Sequence, residues 1–386
     1  MAINLAKPMS YRHFTILVTI AAKLKIPVVA IGTPGLGKTS LFEAIAKQLA
    51  YDFEVCEVPG KNTLSDILGA PRGSKRLSVD GTTEHDVISF NVYDWIIDLL
   101  ESKNSILLFD DLQAATPEMQ QIIMGLMYRR KFGRHTLSNT AMFAASNPID
   151  GKLAMDWALC NRLFAIPACF SMEEFVELKL AGFPPPVIPV VGDFSEHYRL
   201  NSQVTCSFLK NTPSFDGIDP DGKILLEEQF PSARTFEYYD MLISALDAST
   251  YEGVPISASQ SDYLTLVKYI GEGTIGTQGL TAYHSYLRES ELPSANEILQ
   301  NPGSALNKEK ALESRPDRLY LMLRVMIRHV TSNLNSKTWT QAWNVLGYLA
   351  DHERKSFGIV PSRMLLQLRN SELPKHKAIA KYENLV

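Results

Sequence analysis

Gly32-Thr33-Pro34-Gly35-Leu36-Gly37-Lys38-Thr39 fits the pattern G-x-x-x-x-G-K-[ST]. Before it, Val28-Val29-Ala30-Ile31 reads as a short apolar, β-branched strand. After it, Ser40 to Leu49 holds good helix formers with apolar residues at helical spacing. Strand, glycine-rich loop and helix in that order is the setting in which this motif cradles phosphate. With glycine usage near 7%, a match in a chain this long arises by chance on the order of 1% of the time. The glycines let backbone N–H groups turn inward against phosphate oxygens, and the helix points its positive end at the anion. The residues expected to bind the nucleotide are Gly32, Thr33, Pro34, Gly35, Leu36, Gly37, Lys38, Thr39 and Ser40. Lys38 would reach the β- and γ-phosphates, and the Thr39 hydroxyl would face Mg²⁺. A glycine-rich turn with an incidental lysine explains the loop less well, because it leaves the flanking strand and helix unexplained.

Outward from this loop, residues 1–170 alternate apolar strands with helical stretches. Candidate strands are 28–31, 54–58, 106–109, 141–145 and 163–166. Fully apolar strands separated by helices predict an α/β fold, with a parallel sheet covered on both faces. Residues 171–230 read as a connector. Within them, 183–230 is rich in proline and glycine and is expected to be an irregular connector with room for one short helix. Residues 231–386 read as an all-helical region. Leu319, Met322, Leu323, Met326 and Val330 form one apolar face, and Trp339, Trp343, Leu346 and Leu349 or Ala350 another, after a cap at Asn335 or Ser336.

The 386 residues are 45% hydrophobic and 21% charged, an ordinary globular balance with room for two or three domains. A net charge of −4 gives no electrostatic argument for nucleic acid or an anionic membrane. Cys56, Cys160, Cys169 and Cys206 form no C-x-x-C and read as buried thiols in a reducing compartment. The histidines include no H-E-x-x-H, so no zinc site is expected. Lys7 and Arg12 before the apolar run Phe14 to Ala22 mimic a signal peptide. That run is too short to span a bilayer and leads into the first strand. It is better read as a helix packed on the nucleotide domain, and a cytoplasmic location is expected.

Ser105 to Phe109 is an apolar strand ending in Asp110 and Asp111. Beside a phosphate loop, Asp110 would hold Mg²⁺ and Asp111 would orient the attacking water. Ser146-Asn147-Pro148 ends another apolar strand, where Asn147 could hold water against the γ-phosphate. Arg162 follows a helical segment over Leu153–Cys160, from which an arginine can enter a neighbouring subunit's site. Arg234 opens the C-terminal helical region and could reach back to the γ-phosphate.

In this order the motifs resemble the AAA+ ATPases, and among them compact bacterial or phage-type members of the MoxR-like branch. Ile106 to Gln120 is similar to that branch's Walker B strand and following helix start. Leu126 to Gly133 resembles the segment before its sensor 1 strand, and Phe143 to Pro148 resembles sensor 1 itself, with Asn147 as sensor. Asn161-Arg162-Leu163 stands where the family has Asp-Arg-Phe, Ser232-Ala233-Arg234 resembles its Ser/Thr-Pro-Arg sensor 2, and Asp66 to Gly69 resembles the element before its helix 2 insert. Tyr269 to Gly273 resembles a glycine-rich stretch of the compact members. The likeness runs over residues 25–300.

The resemblance implies a ring-forming ATPase, most often a hexamer, that binds ATP and Mg²⁺ between subunits. Asp111, Asn147, Arg162 and Arg234 would be its catalytic residues. It further implies a remodelling chaperone for a protein partner, often one carrying a von Willebrand factor A domain. This chain departs from the family in having Asp111 where Glu is usual and Ala233 where Pro is usual. Two other roles are open. One is a nucleic-acid motor using Arg129, Arg130, Lys131, Arg134 and His135, and the other is an ATP-dependent switch or scaffold with slow hydrolysis.

Overall fold

Apolar strands with no polar face require cover on both sides, and in this chain helices supply it. The computed structural model describes residues 9–148, 161–212, 229–289, 293–307 and 316–382. The helical segment expected over Leu153–Cys160, together with Lys7 and Cys160, lies outside the described residues. The chain divides into two units. One is drawn from residues up to 188 with 225–230 and 272–274, the other from 189–224, 231–271 and 275–386.

In the first unit, α1 (Tyr11–Leu24) leads into β1 (Val28–Ile31), α2 (Lys38–Leu49) and β2 (Asp52–Glu57). Next come α3 (Ser65–Leu68), an antiparallel hairpin of β3 (Ala70–Leu77) and β4 (Glu84–Asn91), α4 (Asp94–Glu101) and β5 (Ser105–Asp110). Then follow α5 (Pro117–Arg129), a small hairpin of β6 (Lys131–Phe132) and β7 (His135–Thr136), β8 (Thr140–Ser146), β9 (Phe164–Pro167) and α6 (Met172–Leu180). The main sheet has the order β2-β5-β8-β1-β9, with every neighbouring pair parallel.

Successive strand residues face opposite sides. Val29, Ile31, Leu107, Phe109, Met142 and Ala144 share a core with Ile96 and Leu99 of α4 and Met119 and Ile123 of α5. On the other side, Phe42 of α2 meets Phe14 of α1 and Phe143 of β8, with ring centroids 5.5 and 5.4 Å apart. Helix α1 buries every residue from Phe14 to Ala22, and Ser10 caps it by accepting from the His13 amide. The run that mimics a signal peptide is therefore a core helix. Among the described residues, no helix is long and apolar enough to cross a membrane.

The second unit contains β10 (Val190–Val191), α7 (Ser195–Asn211), α8 (Ala233–Asp247), β11 (Ser249–Tyr251), β12 (Val254–Pro255), α9 (Gln260–Thr274) up to Gly271, and α10 (Gly276–Glu289). These are followed by α11 (Ala295–Gln300), α12 (Pro302–Asn307), α13 (Pro316–Ser332), α14 (Ser336–Asp351) and α15 (Ile359–Gln367). The two apolar faces read from spacing meet in one core, where Leu323 and Met326 of α13 join Trp339 and Trp343 of α14. Asn335 is the cap of α14, accepting from the amides of Lys337 and Thr338.

Residues 195–211 differ from the irregular connector expected there, since they form a 17-residue helix. Its inward face mixes Leu200, Val204 and Phe208 with Asn201 and Thr205, all buried. Asn201 donates to Ser244 Oγ and Thr205 donates to Asp240 Oδ1, each on α8. Polar residues that find partners only in the folded core hide the helical period from a hydrophobicity reading. Cys206 of this helix is exposed rather than buried. Cys56 is buried, and burial pushes its thiol up to about 11.

Two carboxylates of α8 are set in opposite directions. Burial pushes Asp240 up to about 7, against the opposing pulls of Thr205 and Arg324. Burial would raise Asp247 as well, but Arg328, 3.1 Å away, together with Arg324 and His197, holds it down at about 2. The folded value of Asp240 exceeds its ordinary value of 3.8. Its stabilising contribution is therefore complete below that value and is lost as pH rises to about 7. Melting temperatures measured from pH 5 to 8 are expected to fall more steeply for the native chain than for Asp240→Asn. Parallel curves would show that Asp240 does not titrate in the fold.

Candidate functional site

The phosphate loop leaves β1 at its C-terminal end and turns through Gly35 (φ 80°) and Gly37 (φ 73°), conformations that favour glycine. Gly32 is needed for a different reason. A Cβ there would stand 2.1 Å from the Ala168 carbonyl oxygen, where the chain leaving β9 crosses close by. Helix α2 begins at Lys38 with Gly37 as its cap residue, and no side chain caps it. Its first N–H groups and its positive end are thus available to an anion.

Lys38 is buried, and its ammonium donates to the carbonyls of Gly32 at 2.9 Å and Thr33 at 3.0 Å and to Asn147 Oδ1 at 2.7 Å. Burial lowers its pKa below the ordinary lysine value, while Asp110, Asp111 and Cys169 pull the other way. Cys169 also accepts a hydrogen bond from the Thr33 amide, and burial raises its thiol pKa.

The strand order brings the remaining groups to this loop. One strand, β8, separates β1 from β5, so the C-terminal ends of all three converge beside the start of α2. Thr39 Oγ1 donates to Asp110 Oδ2 at 2.7 Å, and Asp110 Oδ1 accepts from the Asp111 amide at 2.9 Å. Asp111 has a left-handed backbone (φ 56°, ψ 44°), uncommon for a residue with a side chain. Its Oδ1 accepts from Asn147 Nδ2 and from Gln113 Nε2, both at 3.0 Å. Gln113 Oε1 accepts from the Asn147 amide at 2.8 Å. Thr39 and Asp110 present hard oxygens side by side, a donor set that suits Mg²⁺ with its preference for oxygen and retained water. Sequence reasoning missed Gln113. It lies inside the carboxylate segment, but no spacing rule marks it.

Arg162 is not part of this cluster. Arg162 precedes β9, at the end of the sheet where β1 begins, and its guanidinium sits 6.0 Å from the Tyr128 ring centroid. Arg234 is on the first turn of α8 in the second unit. The neighbour of Arg162, Asn161, is buried and donates to the Phe230 carbonyl at 3.0 Å. An ionised Asp at that position could not donate, which accounts for the amide. Within the basic cluster, Arg130 ends α5 in a left-handed conformation and donates to the Lys25 carbonyl. Arg129, Lys131 and Arg134 are exposed.

The parallel sheet carries the phosphate loop and the carboxylate pair at neighbouring strand ends. Residues 28–163 match the family described as "ATPase family associated with various cellular activities (AAA)" and make up an AAA ATPase domain. A search of curated proteins finds no match. Among solved structures, a "putative ATPase" from Cytophaga hutchinsonii is 13% identical with a TM-score of 0.40, covering 70% of this chain and 83% of that one. Bacteroides Pif1 bound to ssDNA is 16% identical with a TM-score of 0.22, covering 44% of this chain and 35% of that one. Both TM-scores are low, and neither structure carries an argument about this chain.

Proposed function

We propose that this chain is a subunit of a ring-forming AAA+ ATPase, most often hexameric, that hydrolyses ATP to remodel or activate a protein partner in the manner of MoxR-like chaperones. The supporting observation is the continuous hydrogen-bonded path from Lys38 through Asn147 to Asp111, with Thr39 and Asp110 paired beside it. Residues 32–40 bind the triphosphate, with Lys38 exchanging its carbonyl partners for phosphate oxygens. Thr39 and Asp110 hold Mg²⁺, which when bound neutralises charge on the β- and γ-phosphates. Asp111 takes a proton from the attacking water, and Asn147 orients that water. Arg162 serves the neighbouring subunit's site, and Arg234 couples the γ-phosphate to movement of the helical region. The division into a nucleotide-binding domain at 1–170, a connector at 171–230 and a helical lid at 231–386 belongs to the same proposal, as does a cytoplasmic location. A von Willebrand factor A domain protein is the partner class that the MoxR-like resemblance implies.

Phosphate release by the purified full chain, with Lys38→Met as the inactive control, is expected to rise when proteins captured in the presence of ATP are added back. Turnover equal to that of Lys38→Met would count against the ATPase, and turnover indifferent to every captured protein against the remodelling role. Exposed Arg129, Lys131 and Arg134 support a second reading, nucleic-acid binding. That role requires an affinity for DNA that weakens as salt rises.

A further inference from the structure

Asp111 is the group assigned to the attacking water, yet its backbone is strained and its side chain has only one methylene. Something must hold the carboxylate. Its two oxygens are treated differently: Oδ1 accepts from Gln113 Nε2 and Asn147 Nδ2, both at 3.0 Å. Among the described residues, Oδ2 accepts no hydrogen bond.

Gln113 is itself gripped at both ends. Its Oε1 accepts from the Asn147 backbone amide at 2.8 Å, while its Nε2 donates to Asp111. Asn147 is likewise fixed at both ends, by Lys38 on Oδ1 and by Asp111 on Nδ2. Gln113 follows Asp111 by two residues, in the short 3-10 turn Leu112–Ala114 that leaves β5, and Asn147 follows the end of β8. The Gln113 side chain thereby ties two strand ends together at the point where both meet the lysine of the phosphate loop.

We propose that Gln113 is a positioning residue for hydrolysis: it locks Asp111 to the end of β8, so that one carboxylate oxygen is committed to protein donors and the other is left to accept the proton of water. The proposal rests on the ATPase reading above. In the step itself the water oxygen bonds to the γ-phosphorus as the bond to the β,γ-bridging oxygen breaks. The water proton passes to Asp111 Oδ2, and ADP and phosphate leave. Gln113 neither gains nor loses a proton.

Gln113→Glu is nearly isosteric. It keeps an acceptor for the Asn147 amide but replaces the donor to Asp111 with a second carboxylate, which removes one of the two hydrogen bonds that hold Asp111 Oδ1. Its kcat is expected to fall on the order of 10²-fold, the cost of misplacing a reacting group by about 1 Å. Affinity for a fluorescent ATP analogue should stay within about 3-fold of the native value, since no phosphate-binding group is touched. Gln113→Met removes both hydrogen bonds without adding charge. It should lower kcat and weaken capture of ADP–aluminium fluoride, again without loss of analogue binding. Analogue binding also reports that each variant is folded. Native kcat in Gln113→Glu would overturn the positioning role while leaving the ATPase intact. Loss of kcat and analogue affinity in equal measure in both variants would reduce Gln113 to a structural part of the loop, and would also overturn it. A native chain that binds no ATP analogue would overturn the ATPase reading, and the role of Gln113 with it.

Discussion

Asp111→Asn is expected to lower ATP turnover by about 10²–10⁴-fold, the range that a positioned acid or base contributes. The substitution is nearly isosteric, and the retained amide oxygen still accepts from Gln113 and Asn147 where Asp111 Oδ1 does now. The site keeps its shape and Lys38 its partners, so affinity for ATP should hold. What disappears is the carboxylate oxygen proposed to take the proton. Phosphate release and titration with a fluorescent ATP analogue separate the two quantities. Turnover that survives in Asp111→Asn would remove Asp111 as the base. Asp111→Glu probes the departure from the family pattern. The native carboxylate stops about 1.5 Å short of where a glutamate would place it, so Asp111→Glu should turn over faster if that shortfall limits the rate. An unchanged rate would show that the clamp on Asp111 already compensates for the shorter side chain, and would leave no reason to regard the protein as a slow switch.

The sheet was legible because fully buried parallel strands must be apolar throughout, and each of the five runs read from the sequence is a strand of the observed sheet, to within two residues at either end. The phosphate loop was legible because backbone crowding against phosphate demands glycine. Elements whose residues take meaning only from distant partners were not. Helix α7 buries Asn201 and Thr205 against α8, and nothing local predicts those bonds. The β3–β4 hairpin is mostly exposed polar sequence, paired through its backbone, so it carries no alternating apolar signature. Gln113 escaped notice for the same reason, because its role depends on the amide of Asn147, 34 residues away. The basic cluster shows the converse. Four neighbouring cations and a histidine look alike in sequence, yet Arg130 is turned back onto the Lys25 carbonyl and serves the fold.

Arg162→Ala is expected to cost about 10³–10⁵-fold in turnover, the range for an arginine that enters a phosphoryl-transfer site from a neighbouring subunit. The sheet register argues for action between subunits. Strand β9 runs parallel to β1, with Val28 opposite Phe164 and Ile31 opposite Pro167. Arg162 precedes the first pair, whereas the phosphate loop follows the last. The four residues of β9 alone span about 13 Å at roughly 3.3 Å per residue, so Arg162 lies at the far end of the sheet from its own loop. Its guanidinium rests beside Tyr128, which is 50% exposed, at a surface a second subunit can approach. A mixing experiment distinguishes the two geometries. Lys38→Met chains keep Arg162 but cannot bind the triphosphate productively, and Arg162→Ala chains keep an intact phosphate loop. Each should be inactive alone. Mixed at concentrations where they co-assemble, the Lys38→Met chain lends its arginine to the intact loop of its neighbour, and turnover should return. Failure to recover activity in co-assembled mixtures would show that Arg162 does not act across the interface. Native turnover in Arg162→Ala alone would remove it from the reaction altogether.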